Sequence, residues 1–171
     1  MAAPLERVRF LHVDDNAHML NIVRTMLRGL GVEHVLEART AEQAFERLRH
    51  DSIDIVLLDY AIGEDDGVEF LRALRCDPAS PAPFVPVIML TAHSERARVE
   101  AARDAGVNEF CTKPITANDL VRKLTVIIEH PRQFVRTDTY VGPDRRRRDD
   151  PAYRGPERRR DRQRREAAPD A

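Results

Sequence analysis

The sequence predicts an α/β chain: a doubly wound, five-stranded parallel sheet with five helices covering both faces. Three observations predict it. Short apolar runs that are too brief for helices alternate with segments whose apolar residues recur at three- and four-residue spacing. The connections are only a few residues long, which implies right-handed crossovers and parallel strands. The residues Ile55, Val56, Leu57 and Leu58, within the stretch 53–59, form an uninterrupted and mostly branched apolar run, as expected of a strand buried on both faces in the middle of such a sheet.

In chain order, Val8 to Val13 reads as the first strand and ends at Asp14 and Asp15. Met19, Ile22, Val23, Met26, Leu27 and Leu30 give one buried face of a helix closed by Gly29 and Gly31. Glu33 to Ala38 is a second strand, and Thr40 with Gln43 makes a capping-box start for the helix carrying Ala44, Phe45 and Leu48. The third strand stops at Asp59. Asp65, Asp66 and Gly67 lead into a helix with Val68, Phe70, Leu71 and Leu74, terminated by Cys76, Asp77 and Pro78. Pro81, Pro83 and Pro86 stiffen the next connection, and Val85 to Leu90 forms a fourth strand ending at Thr91. A helix from about Ser94 to Ala105 stops at Gly106. Val107 to Cys111 is the fifth strand, followed by Lys113 and Pro114. Thr116 caps a last helix striped by Leu120, Leu124, Ile127 and Ile128, and Pro131 closes it.

The 171 residues suffice for one domain and an appendage, and the net charge of -1 hides an asymmetry. Residues 1–130 hold 15 basic and 21 acidic residues, whereas 131–171 hold 13 arginines and 8 acidic residues. Only Cys76 and Cys111 are cysteines, which is no disulfide framework and fits a reducing compartment. No apolar run approaches membrane-spanning length, and no apolar segment follows a basic start, so the expectation is a cytoplasmic protein without membrane insertion. The six histidines lack metal-site spacing, and Lys113 and Lys123 are the only lysines.

In a parallel sheet the carboxyl ends of the strands share one rim, where open α/β sheets place their ligands. Asp14, Asp15, Asp59, Thr91 and Lys113 all fall there. At separations of about 5 Å and an effective dielectric near 20, each carboxylate pair costs roughly 3 kcal/mol, so the cluster must take up protons or a cation. A few carboxylates, a backbone carbonyl, waters and a phosphate oxygen suit Mg²⁺. Lys113 and the Thr91 hydroxyl suit a phosphoryl group beside it, with Asp59 as a nucleophile that forms an acyl phosphate.

Asp14-Asp15, Asp59, Thr91-Ala92 and Lys113-Pro114, with Gly67 eight residues after Asp59, resemble the receiver domain of two-component response regulators. The resemblance spans residues 6–130 and is of the stand-alone, chemotaxis-regulator kind. It implies the flavodoxin-like strand order 2-1-3-4-5, which the periodicity alone does not supply. It further implies that Asp59 accepts phosphate from a sensor histidine kinase or phosphotransfer protein, and that Mg²⁺ is held by Asp15, Asp59 and the Ala61 carbonyl, with Asp14 acting partly through water. Thr91 and Lys113 would contact the phosphoryl oxygens and Phe110 would turn inward with Thr91. The surface near residues 91–113 would then signal to a downstream protein that the sequence does not identify. By the same resemblance the Lys113–Pro114 bond is cis. The loop after Asp59 lacks the family's Met-Pro pair, and Gly63 in its place is expected to loosen it. His93 is a candidate for aiding water attack on the phosphate, though a surface histidine without a role is the simpler reading.

Residues 131–171 read as a disordered, arginine-rich tail with no DNA-binding output domain, because the apolar stripes of a helix pair are missing. The tail repeats itself after 13 residues: Tyr140-Val141-Gly142-Pro143-Asp144-Arg145-Arg146-Arg147 and Tyr153-Arg154-Gly155-Pro156-Glu157-Arg158-Arg159-Arg160. Arginine forks, a carboxylate and a stacking Tyr can recognise guanine. There is a weaker resemblance to chemotaxis-like receivers whose arginine-rich extensions bind cyclic di-GMP. Tyr140, Asp144, Arg145, Arg146, Arg147, Tyr153, Glu157, Arg158, Arg159 and Arg160 are therefore ligand candidates, with another nucleotide, RNA or an acidic protein as alternatives. A haloacid-dehalogenase-like phosphatase also uses an Asp nucleophile and Mg²⁺, but that family places two acids one residue apart after its first strand; here they are adjacent.

Overall fold

A computed structural model describes residues 5–92 and 96–145. After a short 3-10 turn (Leu5–Arg7), five strands, β1 (Arg9–Val13), β2 (His34–Ala38), β3 (Ile55–Asp59), β6 (Val87–Thr91) and β7 (Glu109–Thr112), form one parallel sheet of order β2-β1-β3-β6-β7. In strand count this is the order 2-1-3-4-5. The helices are α1 (Ala17–Gly29), α2 (Ala41–His50), α3 (Gly67–Cys76), α4 (Arg96–Asp104) and α5 (Ala117–Glu129).

Strand alternation sorts the core into two layers. Phe10, Ile55, Leu57, Ile88, Leu90 and Cys111 face α1 and α5, packing with Val23, Leu27, Leu120 and Leu124. Leu11, Val13, Val56, Leu58, Val87 and Met89 face α2, α3 and α4, packing with Leu48, Phe70, Leu71, Leu74 and Ala102. The capping residues act as their types dictate: Asn16, Thr40, Asp66 and Thr116 each accept a bond from the first turn of their helix. Gln43 departs from the usual box, accepting from the amide of Arg39 rather than that of Thr40, at 2.9 Å.

Two short hairpins were not anticipated. The loop after Asp59 folds as β4 (Ala61–Ile62) against β5 (Asp65–Asp66), and Gly63, at φ +63°, closes the turn between them. The glycine expected to loosen this loop instead permits a defined turn, because its backbone enters the left-handed region without strain.

The second hairpin corrects the reading of residues 131–145 as disordered; the rest of that stretch lies outside the described residues. β8 (Phe134–Thr137) pairs with β9 (Tyr140–Pro143), and all four residues of β9 are buried. The hairpin docks at the rim where β6 and β7 begin, opposite the strand ends that carry the acids. There the Gly142 backbone meets Gly106, and a Cβ on Gly142 would fall 2.7 Å from the Gly106 Cα. Phe134 packs edge-on against Phe84 at 5.6 Å and lies 4.9 Å from the guanidinium of Arg75. Arg75 is fully buried. It donates to the carbonyls of Gly106, Pro83 and Val85 and to the Asn108 side chain. Arg132 adds a bond to the Asn108 carbonyl and lies 3.6 Å from Glu109.

Candidate functional site

The first strand delivers two acids with different roles. Asp14 continues the ladder, its N–H donating to Ala38 O at 3.1 Å, and its side chain is fully buried. Asn16 N–H donates to Asp14 Oδ1 at 2.8 Å before its own side chain caps α1. Asp15 lies on the exposed turn between β1 and α1. Asp59 ends β3 and accepts from the Tyr60 amide at 2.9 Å. One carboxylate oxygen from each of Asp14, Asp15 and Asp59 lies within 4.8 Å of the others.

The remaining predicted residues arrive from β6 and β7. Lys113 N–H donates to Thr91 O at 2.8 Å, so the two strand ends close on each other. Lys113 Nζ reaches Asp59 Oδ1 at 2.9 Å and Asp14 Oδ2 at 3.5 Å, and the Lys113–Pro114 bond is cis. Thr91 is buried and follows Leu90, the register partner of Asp59. Phe110 is half-buried against the α2–α4 core layer, and the Ala61 backbone pairs with Asp66. Gly67 is required where α3 starts: its N–H donates to Tyr60 O, and a Cβ would run into the carbonyl of Asp59 and lie 2.9 Å from that of Tyr60.

The electrostatics are unbalanced. Three carboxylates face one lysine, and Asp14 Oδ2 is buried without a hydrogen-bond partner. Burial pushes the Asp14 carboxyl above its ordinary value; the Asn16 amide opposes this, the Asp59 charge adds to it, and Lys113 counters it. His12, fully buried, adds no positive charge. Burial first and the Lys113 charge second lower it to about 3, and both its nitrogens lack partners. Its Nε2 stands 3.9 Å from Asp14 Oδ2, too far for a hydrogen bond. An all-oxygen cluster with an orphaned buried carboxylate oxygen and about two uncompensated negative charges fits a hard divalent ion such as Mg²⁺.

Two residues near the site escaped the sequence reading. His12 stands among apolar strand neighbours, and that misplaced polarity was its visible signal. Arg39, just after β2, donates through Nε and Nη2 to Asp15 O at 3.2 and 2.9 Å, a contact with no sequence signature.

Of the tail candidates, Tyr140 is buried, and its hydroxyl donates to Pro143 O at 2.8 Å. Arg145 lies 4.0 Å over the Tyr140 ring and pairs with Asp104 at 3.1 Å, while the Asp144 amide donates to Gln133 O. As a face for stacking bases Tyr140 is therefore unsuited, because its ring is already covered. Arg146, Arg147, Tyr153, Glu157, Arg158, Arg159 and Arg160, like His93, lie outside the described residues.

Comparison with known proteins agrees with this geometry. Residues 10–125 match the family described as the response regulator receiver domain. The chain is 34% identical over 124 residues to the chemotaxis protein CheY-3 of Vibrio cholerae, covering 72% of this chain and 94% of that one. It is 34% identical over 122 residues to the chemotaxis protein CheY of Pseudomonas aeruginosa, covering 71% and 97%. Among solved structures, a putative response regulator from Chloroflexus aurantiacus superposes with a TM-score of 0.64 at 25% identity, covering 72% of this chain and 99% of that one. No helix among the described residues is long and apolar enough to cross a membrane.

Proposed function

The chain belongs to the response regulator receiver domain family, and from that premise we propose that Asp59 is the phosphoacceptor of a Mg²⁺-dependent signalling switch. The observation that carries this is the convergence of Lys113 Nζ on Asp59 Oδ1 at 2.9 Å and, at 3.5 Å, on a buried Asp14 oxygen that no hydrogen bond satisfies. An Asp59 carboxylate oxygen attacks the phosphorus of a phosphohistidine; the new O–P bond forms as the N–P bond breaks and the imidazole leaves with the electron pair. Asp14, Asp15, Asp59 and the Ala61 carbonyl are the groups that would hold Mg²⁺, whose chemistry is to neutralise charge on the transferring phosphoryl oxygens.

Lys113 already compensates Asp59 in the resting site, and it can pass to a phosphoryl oxygen without leaving the rim. Thr91 supplies a hydroxyl on the neighbouring strand, and Phe110, half-buried on β7 against the core layer that contains Ala102 of α4, is the switch aromatic. The output then reads through the surface around residues 91–113 to a protein partner, with a sensor histidine kinase or phosphotransfer protein as donor. The phosphatase alternative has no support from the family match. Nothing supports cyclic di-GMP at Tyr140 or Arg145, whose side chains are engaged with Pro143 O and with Asp104 of α4.

The test is incubation with acetyl phosphate and Mg²⁺ followed by intact-mass measurement. One phosphoryl adduct, lost with EDTA and in Asp59→Asn, is expected. Continuous phosphate-ester turnover, or an adduct that survives Asp59→Asn, would refute the assignment.

A further inference from the structure

Resting on the receiver reading, we infer that Arg39 is a positioning residue for Mg²⁺ loading, acting through the backbone of Asp15. The two acids of the first strand are held differently. Asp14 is locked by the ladder bond to Ala38 and by the Asn16 amide on its carboxylate. Asp15 is exposed on the turn, and two guanidinium N–H groups of Arg39 converge on its carbonyl at 3.2 and 2.9 Å. A bidentate, charge-assisted pair on one oxygen fixes orientation as well as distance.

Arg39 is itself well placed for this. It directly follows Ala38, the residue tied to Asp14, and its own amide donates to Gln43 Oε1 at 2.9 Å beside the Thr40 cap. The staple therefore joins the β1–α1 and β2–α2 loops. On the other side of Asp15 lies the β4–β5 turn, where a Cβ on Gly63 would be 3.9 Å from Asp15 Cβ and Oδ2. Between these two neighbours, the Asp15 carboxylate is presented to Asp14 and Asp59.

Charge and positioning predict opposite signs, which makes the role testable. As a mere cation near the acids, Arg39 would repel Mg²⁺, and its removal would tighten binding. As a staple, its removal frees the turn and weakens binding. Calorimetric titration of full-length protein with MgCl₂ should show about tenfold weaker affinity in Arg39→Gln, in line with the loss of other groups that orient metal ligands. Arg39→Lys, which keeps the charge but loses the fork, should be intermediate. Melting in EDTA should be unchanged in both variants.

Equal or tighter binding in Arg39→Gln overturns the inference. So does a fall in the metal-free melting midpoint that accompanies the weaker binding, since Arg39 would then serve the fold alone. A wild-type protein without saturable Mg²⁺ binding would instead sink the Mg²⁺-dependent switch reading of the site, and this role with it.

Discussion

The two rims of the sheet each bury a charge, and they handle it in opposite ways. At the amino-terminal rim the Arg75 guanidinium is desolvated yet donates to three carbonyls and an amide oxygen, beneath the Phe134 ring. At the carboxyl-terminal rim Asp14 is equally buried, but one oxygen accepts no hydrogen bond and has only the Lys113 ammonium at 3.5 Å, and two further acids stand close by. A buried charge whose partners are all supplied by the fold serves structure; one left short of partners is held ready for something that arrives later. The contrast separates the docked hairpin from the acidic site at the opposite rim without reference to any relative.

The strongest way to break the comparison is Arg75→Met. If the guanidinium is structural, its loss takes the side-chain donor from the carbonyls of Gly106, Pro83 and Val85, while Asn108 Oδ1 keeps the Val87 amide; this should cost about 4 kcal/mol in chemical denaturation, with Mg²⁺ affinity at the far rim unchanged. Gly106→Ala should cost about 2 to 3 kcal/mol, since Gly106 has φ +94° and a Cβ would meet Val141 O at 2.5 Å. Limited proteolysis should then cut between residues 132 and 145, and an uncut hairpin would contradict the docking.

Acid sharpens the comparison from the other end. The folded pKa of His12, at about 3, lies below the ordinary 6.5, so its stabilising contribution is complete above pH 6.5 and is lost as pH falls from there toward 3. By pH 5 the loss attributable to His12 is about 2 kcal/mol, and His12→Leu should flatten this part of the stability profile. Asp14 runs the opposite way. Its raised folded pKa favours the folded state at low pH, and that advantage disappears as pH rises through the raised value. Asp14→Asn should therefore stabilise the metal-free protein at neutral pH, read as a higher melting midpoint in EDTA, while weakening Mg²⁺ binding. Loss of stability in that variant would mean that Asp14, like Arg75, is a structural charge.

Much of this was legible in the residues. Ile55 to Leu58 could only be a central strand, and once five strands were parallel, Asp14, Asp15, Asp59, Thr91 and Lys113 were bound to share a rim. Arg39 was not legible, because the target of a long side chain depends on which strands are adjacent. The β8–β9 hairpin was hidden for a different reason. Phe134, Val135, Tyr140 and Val141 are too few to show a period amid so much charge, and the surface that buries them comes from Arg75, Phe84 and Gly106, far back in the chain. Local pattern cannot announce a strand pair whose other half-shell is supplied from elsewhere.

Gly142 carries a last implication. Its backbone torsions are open to any amino acid, for it is absent from the positive-φ glycines, so the requirement for a bare hydrogen comes from Gly106 across the contact and from the Tyr140 hydroxyl folding back over it. Such a glycine is a fingerprint of an encounter rather than of a bend. In other receivers extended beyond their fifth helix, a glycine at the position of 142 that co-varies with the residue at 106 would mark which appendages lie folded against their domain, and a bulky side chain there would mark those that hang free.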